Sequence, residues 1–311
     1  MVTGALATRT LGRTGLVVTA LGYGAMSLDD RFGRAVSADE AAAVLHAALD
    51  AGINFIDTAP DYGPSEEYIG RAIASRRGEY VLATKCGCPV AAAAGAGHVY
   101  TAENVVAGVE QSLRRLRTDY LDIVQFHGSP SAATLAEHGA IEALRGLQAQ
   151  GKVRFIGMSG TIPNLDGQIA LGAFDVFQVP YSALQREHDV LIAEASRGGA
   201  GIVVRGGVAR GAPAPDKGWD IRRLPEVAPE RPRATWEAAR LDELLDAVPG
   251  GATRMEFMLR FTLSHADLDT TIVGTADLGH LADNVRAASR GALPPDVYAE
   301  ACRRLDAASA A

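Results

Sequence analysis

Residues 52–63, GINFIDTAPDYG, carry the pattern that decides the fold. The apolar run at 53–56 indicates a short buried strand, and Gly52 before it is typical of the end of a helix. The run ends at Asp57, and Tyr62 follows five residues later on the next loop. An acid at the carboxyl end of a strand, with a phenol on the following loop, is where (β/α)8 enzymes place their chemistry. The alternative is that Asp57 caps the turn and Tyr62 only packs on the loop.

The composition sets bounds on the class of protein. The chain has 311 residues, of which 48% are hydrophobic and 22% charged, as in ordinary globular proteins. The net charge of −7 gives no basic surface, which argues against nucleic acid as a partner. The sequence has neither an apolar stretch of about 18 residues nor a secretory signal. We therefore expect a cytoplasmic protein that does not enter a membrane.

The three cysteines, Cys86, Cys88 and Cys302, do not form a disulfide framework. Cys86 and Cys88 are also one residue too close for the CxxC spacing of redox and zinc sites. The sequence therefore predicts reduced thiols that pack in the interior, and no metal site.

Apolar strands alternate with helical patterns along the whole chain. Two apolar segments within residues 9–26, around Arg13-Thr14-Gly15, predict a β-hairpin that leads into a first strand near Leu21. Further strands are predicted at 53–57, 80–84, 119–127, 152–160, 174–182, 201–207 and 269–274. Helices are predicted after Ser37, at 67–74, after Thr101, and at 134–149, 162–171, 186–197, 233–247, 252–264, from 278 and at 295–307. A long loop at 206–232 is predicted to be a functional lid or a disordered segment.

Eight strand–helix units favour one α/β domain over residues 1–311. Strand segments such as IVQF and GIVV are apolar on both faces, as a parallel sheet covered by helices requires. We predict a (β/α)8 TIM barrel with an N-terminal β-hairpin plug and extra helices near the C-terminus. A doubly wound dinucleotide fold is the alternative, but Gly22-Tyr23-Gly24 is followed by Ala25-Met26-Ser27, so the GxGxxG fingerprint fails.

In a barrel, the predicted strand ends bring Asp57, Tyr62, Lys85 and His127 to one mouth. A nearby ammonium lowers the pKa of a phenol, and a carboxylate holds that ammonium charged and in place. A neutral imidazole can orient a carbonyl oxygen. The four groups together can reduce a carbonyl and protonate the alkoxide. Taken alone, however, Lys85 could be a solvated strand end and His127 a core histidine.

Here the chain resembles the aldo-keto reductase family. GINFIDTAPDYG looks like the family motif that carries the catalytic aspartate and tyrosine, VLATK carries the lysine, and DYLDIVQFH carries the histidine. The resemblance runs in family order from near Arg9 to about Asn284. It implies a catalytic tetrad of Asp57, Tyr62, Lys85 and His127, with Tyr62 as the proton donor.

The resemblance also implies residues that contact the nicotinamide. IGMSG looks like the signature of the fifth strand, in which Ser159 is kept but Gly160 replaces the usual asparagine. Gln178 matches a glutamine that bonds the nicotinamide amide. Arg205, followed by Gly206, stands where an aromatic residue usually stacks on the ring; it could stack instead, or pair with a phosphate or an acid. Asp57 and the first-strand loop, Gly24, Ala25 and Met26, complete this set.

The segment IVGTADLGHLADN, 272–284, resembles the family's last cofactor segment. It implies that the adenosine end is held by Gly274, Thr275, His280, Asp283 and Asn284. Many relatives carry Lys or Arg near this strand end, whereas this chain has Ala276 and Asp277. NADP(H) is the expected cofactor, and NAD(H) stays possible.

The resemblance implies a reductase of a small aldehyde or ketone, with no obligate protein partner. The alternative function is a nicotinamide-binding regulatory or sensor subunit on the same fold. The substrate wall is expected from loops 27–36, 86–100, 128–130 and 206–232, and Gly128-Ser129 replaces a bulky tryptophan, which predicts a wider mouth. Four arginines could bind an anionic substrate or the cofactor pyrophosphate, or simply form a solvated basic loop: Arg222, Arg223, Arg231 and Arg233.

Overall fold

The computed structural model describes residues 4–29, 35–90, 97–214, 219 and 231–309. Eight parallel strands close into a barrel. They are β3 Leu21–Gly24, β4 Phe55–Asp57, β5 Val81–Cys86, β6 Leu121–Phe126, β7 Val153–Ser159, β8 Val176–Pro180, β9 Gly201–Arg205 and β10 Thr270–Val273. The strands pair in chain order, and β10 pairs with β3 to complete the ring. The predicted (β/α)8 barrel is confirmed.

The helices lie outside the ring. They are α1 Ala38–Asp50, α2 Ser65–Ala72, α3 Ala102–Leu116, α4 Ala132–Glu137, α5 Ala140–Ala149, α6 Leu165–Ala170, α7 Asp189–Arg197, α8 Arg231–Ala238, α9 Arg254–Leu263, α10 Leu278–Ser289 and α11 Pro295–Ser309. The start of α1 follows the local rules of helix capping, because the Ser37 side chain accepts a hydrogen bond from the Glu40 backbone and Glu40 returns one. No helix in the described part of the chain is long and apolar enough to cross a membrane.

An antiparallel hairpin of β1 Thr8–Thr10 and β2 Val17–Thr19 precedes the barrel. Leu11, Leu16 and Val18 of the hairpin segment belong to one buried cluster with inward-facing side chains such as Phe55 and Val81. The predicted plug is therefore present. It closes the amino-terminal end of the strands and leaves the carboxyl ends as the mouth.

Asp122 holds the closed end of the barrel together. Its carboxylate is 2% exposed and accepts hydrogen bonds from Arg77 and Arg154, both at 2.6 Å, and from the Leu82 backbone N–H at 2.9 Å. Asp122 is the second residue of β6, so this network lies at the opposite end of the strand from His127. A charge network at this end of a barrel is expected to serve stability.

Three details of the prediction were wrong. The helix predicted at 233–247 ends at Ala238 and is followed by a 3-10 turn at Leu241–Leu244, with Arg240 between them at φ = 51°. The helix predicted at 134–149 is two helices, because Gly139 between them has φ = 63°, a left-handed conformation that glycine adopts without strain. The predicted loop 206–232 holds a 3-10 turn at Ala209–Gly211 and ends earlier than predicted, since α8 begins at Arg231. Residues 215–218 and 220–230 of that loop lie outside the described residues.

Candidate active site

A buried ion pair forms the base of the site. The Lys85 Nζ atom donates to both carboxylate oxygens of Asp57, at 2.6 and 2.8 Å, and to the Thr58 carbonyl at 2.8 Å. The side chains of Lys85 and Asp57 are 0% and 1% exposed. Burial is the largest single effect on the pKa of Lys85 and lowers it, but the charges of Asp57 and Tyr62 and the hydrogen bonds to them together outweigh burial, and the net pKa is raised. The lysine therefore remains an ammonium ion.

The Asp57 carboxylate is shared with two glutamines. Gln178 donates its Nε2 to both oxygens at 3.0 Å, and Gln125 donates to Oδ2 at 3.5 Å. Ser159 in turn donates its hydroxyl to Gln178 Oε1 at 3.3 Å. Ser159 and Gln178, which the resemblance assigns to the nicotinamide amide, are thus linked to the ion pair.

The sequence analysis missed Gln125. It lies two residues before His127 and pairs in register with Lys85. Because alternate residues of a strand face the same side, the position of His127 could have placed Gln125 inside the mouth.

Tyr62 lies directly against this ion pair. The Lys85 Nζ atom is 4.9 Å from the centre of the Tyr62 ring. Burial raises the pKa of Tyr62 above its ordinary value, and the Lys85 ammonium acts in the opposite direction. The direction of the lysine effect agrees with the prediction from the sequence, but burial, which that prediction left out, has the larger effect on the pKa. Tyr62 is therefore a phenol that keeps its proton at neutral pH.

His127 completes the group of four. Its ring meets the Tyr62 ring edge-on, with 5.9 Å between the ring centres. Its backbone carbonyl accepts a hydrogen bond from the Tyr100 hydroxyl at 2.5 Å. Its Nδ1 atom lies 3.4 Å from Cys88 Sγ and 3.5 Å from Asp61 Oδ1. The structure brings together all four residues of the predicted tetrad.

The space expected beside Gly128 is filled from a neighbouring loop. A Cβ atom at Gly128 would lie 2.6 Å from Nδ1 of His98 and 2.8 Å from the hydroxyl of Tyr100. Gly128 itself has φ = 78°. His98 and Tyr100 therefore fill the space beside residue 128 that a larger side chain would take, so the glycine does not by itself widen the mouth of the barrel.

Two glycines bring the ends of the first and last barrel strands together. A Cβ atom at Gly274 would overlap the Gly24 carbonyl oxygen, so only a bare backbone fits there. Tyr23 supports this approach by donating its hydroxyl to the Thr275 carbonyl at 2.7 Å. Ala25 and Met26 follow in a 3-10 turn. This close approach explains why residue 274 is a glycine. Helix α10 begins at Leu278, four residues later, and the amino end of a helix is a suitable site for a nucleotide phosphate.

The replacement of asparagine by Gly160 has a local cause. A Cβ atom at Gly160 would overlap the Gln168 side-chain oxygen. Gln168 is fully buried and donates its Nε2 to the Pro130 carbonyl at 2.6 Å and to Ser129 Oγ at 3.2 Å. The Gln168 carboxamide therefore occupies the space beside residue 160.

The residues assigned to the adenosine end lie at the start of α10. Asp277 caps this helix by accepting a hydrogen bond from the His280 backbone N–H at 2.8 Å. Arg286 is paired with Asp283 one turn away. His280 is exposed, and Asn284 is partly exposed on the same helix. Two nearby residues that could supply positive charge to a cofactor phosphate are therefore the exposed His280 and Arg286, which is already paired with Asp283.

Arg205 ends β9 at the mouth and is close enough to lower the pKa of Tyr62, although less than Lys85 does. Among the residues that the structure describes, no carboxylate forms an ion pair with Arg205. Gly206 after it has φ = 73°. Of the four loop arginines, Arg233 pairs with Glu237 at 2.8 Å, whereas Arg222, Arg223 and the Arg231 side chain lie outside the described residues.

Comparison with known proteins identifies the family. The sequence pattern of the Aldo/keto reductase family matches residues 20–305, and the chain therefore belongs to this family. It is 29% identical to D-threo-aldose 1-dehydrogenase from Pseudomonas sp over 318 aligned residues, covering 92% of this chain and 94% of that protein. It is 40% identical to L-galactose dehydrogenase from Arabidopsis thaliana over 158 residues, which span 49% of this chain and 48% of that protein.

The fold agrees with that of a solved family member. The aldo-keto reductase AKR11C1 from Bacillus halodurans, in its holo form, superposes with a TM-score of 0.80 at 27% identity, covering 96% of each chain. The family and these relatives make this chain a carbonyl oxidoreductase of the nicotinamide-dependent type.

Proposed function

We propose that this protein reduces an aldehyde or ketone to an alcohol at the expense of NADPH or NADH, with Tyr62 as the proton donor. One observation carries the proposal: the Lys85 ammonium bonds both oxygens of Asp57 and faces the Tyr62 ring at 4.9 Å. This places a fixed positive charge beside the phenol that would lose its proton.

The four side chains have separate roles in this proposal. Reduced nicotinamide supplies a hydride to the carbonyl carbon when it is bound. The His127 imidazole orients the carbonyl oxygen, and the Tyr62 hydroxyl gives its proton to that oxygen as negative charge develops on it. The Lys85 ammonium stabilises the phenolate that remains, and Asp57 holds the ammonium in place.

The residues at the mouth fit a nicotinamide dinucleotide. Ser159 and Gln178 would take the carboxamide, with the chain of hydrogen bonds between them and Asp57 rearranging to admit it. Gly24, Gly274 and the amino end of α10 would hold the phosphates. Asp283 and Asn284, farther along α10, would hold the adenine. Gly206 would allow Arg205 to lie beside the ring.

NADP(H) is the proposed cofactor, but with a small margin over NAD(H). The 2′-phosphate demands cations. Within residues 278–286 of α10 the candidates are the exposed His280 and Arg286, which Asp283 already engages. The NADPH preference should stay below about 1000-fold, or about 4.1 kcal/mol. Fluorescence titration with the two reduced cofactors measures it, and a larger preference would reveal a missed cation.

Arg205 adds a second expectation for the cofactor. A guanidinium stacked on the ring repels the cationic oxidised nicotinamide more than the neutral reduced one. NADPH should therefore bind more tightly than NADP⁺. The difference in affinity between NADPH and NADP⁺ should be smaller in Arg205→Ala, as measured by the same titration. If the wild type instead bound NADP⁺ more tightly than NADPH, and Arg205→Ala lost that preference, the stacking argument would be reversed.

The relatives favour a sugar as the substrate class. D-threo-aldose 1-dehydrogenase and L-galactose dehydrogenase are both named for sugar oxidation. A second candidate function is therefore oxidation of a cyclic aldose at C1. In that direction the oxidised nicotinamide, when bound, would accept the hydride from C1. The Tyr62 phenolate would take the proton of the C1 hydroxyl, and the product would be a lactone.

The remaining alternative is a regulatory or sensor subunit that binds nicotinamide with little turnover. The complete tetrad favours the enzyme. We further propose that residues 1–311 act as one domain in the cytoplasm, on a small-molecule carbonyl and without an obligate protein partner.

A panel of aldehydes, ketones and aldoses separates these functions. Purified protein is mixed with each carbonyl and NADPH or NADH, and the absorbance of the reduced cofactor is followed; aldoses are also tested with NADP⁺ and NAD⁺. Turnover by the wild-type protein and its loss in Tyr62→Phe support the oxidoreductase. Tight cofactor binding without turnover on any member of the panel would favour the sensor.

A further inference from the structure

Four potential metal ligands from separate loops meet beside His127. They are Asp61 before Tyr62, Cys88 after β5, His98 ahead of α3, and His127 itself. One ligand atom from each residue lies within 4.8 Å of every other. The sequence spacing hid this cluster because no two of its members are close enough in the chain to form a metal-binding motif.

Two of the distances between the ligand atoms match a tetrahedral metal site. Metal–nitrogen bonds of about 2.0–2.1 Å and metal–sulfur bonds of about 2.3 Å place neighbouring ligand atoms about 3.3–3.6 Å apart. Nδ1 of His127 lies 3.4 Å from Cys88 Sγ and 3.5 Å from Asp61 Oδ1. All four ligand atoms lie within 4.8 Å of one another, so the widest pair would have to close by up to about 1.2–1.5 Å to reach tetrahedral distances.

The donor types indicate the class of metal. Two imidazoles, one thiol and one carboxylate suit Zn²⁺ and similar divalent transition metals, whereas Ca²⁺ and Mg²⁺ take oxygen ligands. The ring of His98 stands edge-on to that of His127, with 4.8 Å between the ring centres. The two imidazoles are therefore near neighbours within the cluster.

An unpartnered polar atom gives independent support. Within the described residues, the Nε2 atom of His98 is buried and has no hydrogen-bond partner. A buried polar atom without a partner is destabilising, and a metal bond would remove that cost. An imidazole nitrogen with a free lone pair is also the form that binds metals.

We propose that Asp61, Cys88, His98 and His127 form a site for a divalent transition metal, with Zn²⁺ as the best chemical match, and that the bound metal switches the enzyme off. The thiol proton of Cys88 passes to solvent as the sulfur–metal bond forms, and nothing is oxidised or reduced. The inhibitory part rests on the proposed function, because His127, whose Nδ1 atom would bind the metal, is also the residue proposed to orient the carbonyl oxygen.

Cobalt titration of the full chain, with no cofactor added, tests the site without reference to activity. Co²⁺ is the probe because tetrahedral cobalt absorbs in the visible and a thiolate ligand adds a charge-transfer band in the near ultraviolet. We expect both signals at one Co²⁺ per chain, and loss of the thiolate band in Cys88→Ser. Loss of a residue that hydrogen-bonds a metal ligand weakens metal binding by about 10–100-fold. His98→Ala removes a ligand itself, so it should weaken Co²⁺ binding by more than that.

Matched controls define the outcomes. Cys302→Ser and His138→Ala remove the same side-chain types elsewhere on the chain and should bind Co²⁺ like the wild type. No thiolate band in the wild-type protein, or a band that persists in Cys88→Ser, would overturn the site. Equal affinity of His98→Ala and His138→Ala for Co²⁺ would also overturn the site.

The inhibitory part is tested separately from the site. Turnover by the wild-type enzyme should fall as Zn²⁺ fills the site and return on addition of a chelator. Each variant is compared with its own metal-free rate, and His98→Ala should need more Zn²⁺ than His138→Ala for the same fractional loss. A fully occupied site with unchanged turnover would overturn the inhibition. A cobalt spectrum from a protein that turns over no carbonyl even in its metal-free form would overturn the proposed function instead and leave the metal site standing.

Discussion

The Nζ atom of Lys85 lies 2.6 Å from Oδ1 of Asp57, and neither side chain is more than 1% exposed. Removing one partner of a buried ion pair leaves an uncompensated charge, which costs about 3–5 kcal/mol. Lys85→Met should lower the free energy of unfolding by that amount and abolish most turnover, because the phenolate of Tyr62 loses its stabilising charge. Denaturant unfolding and steady-state kinetics measure the two effects.

A double variant separates stability from catalysis in this pair. Lys85→Met combined with Asp57→Leu removes both charges, so most of the lost stability should return while turnover stays low. A Lys85→Met protein that is as stable as the wild type would show that the pair is not buried as described.

The pH profile should reflect the raised pKa of Tyr62. Burial raises this pKa above its ordinary value of about 10, and the Lys85 ammonium only partly opposes it. The phenol is the protonated form below its pKa, so kcat/KM for reduction should not fall through loss of this proton until the pH exceeds about 10. In the oxidation direction the phenolate is needed, and the rate should rise with pH. An alkaline fall in the reduction rate near pH 7–8 that is absent in Tyr62→Phe would contradict this.

A substitution at the closed end of the barrel should lower stability and leave catalysis unchanged. Asp122 accepts hydrogen bonds from two arginines and one backbone N–H while 2% exposed. Asp122→Ala should cost about 3–5 kcal/mol of unfolding free energy, with cofactor affinity and kcat of the folded fraction unchanged. The exposed Asp119→Ala is the matched control, and a loss above about 0.5 kcal/mol there would be unexpected. If fully folded Asp122→Ala protein had a lower kcat than the wild type, the closed end of the barrel would contribute to catalysis as well as to stability, contrary to this prediction.

Restoring the family asparagine at residue 160 should fail unless space is made for it. The new side chain would meet the buried Gln168 carboxamide, and overpacking of this kind costs about 1–3 kcal/mol. Gly160→Asn should therefore lower Tm without tightening cofactor binding. Gln168→Ala removes two buried hydrogen bonds and should lower Tm by itself, but adding Gly160→Asn to it should cost less than Gly160→Asn costs in the wild type. Thermal unfolding and cofactor titration check both, and a fully stable Gly160→Asn variant would show that Gln168 moves aside freely.

The residues that could be predicted are those whose local pattern is strong. Asp57, Lys85 and His127 each end a buried apolar strand, so the barrel topology alone brings them together. The residues that escaped prediction depend on contacts across loops. Cys88 and His98 approach His127 only because the loops after β5 and β6 fold against each other, and neither carries a signal in its neighbours. The continuous helix predicted at 134–149 failed at Gly139, where one left-handed residue outweighed the apolar periodicity.

The replacement of one residue tests the central claim most directly. Tyr62→Phe removes only the hydroxyl that is proposed to donate the proton, so the protein should fold and bind NADPH as the wild type does. Its rate of carbonyl reduction should fall by about 10²–10⁴-fold, measured by the absorbance of the reduced cofactor with the best substrate of the panel. A Tyr62→Phe protein that reduces this substrate at the wild-type rate would contradict the assignment of Tyr62 and the account built on it.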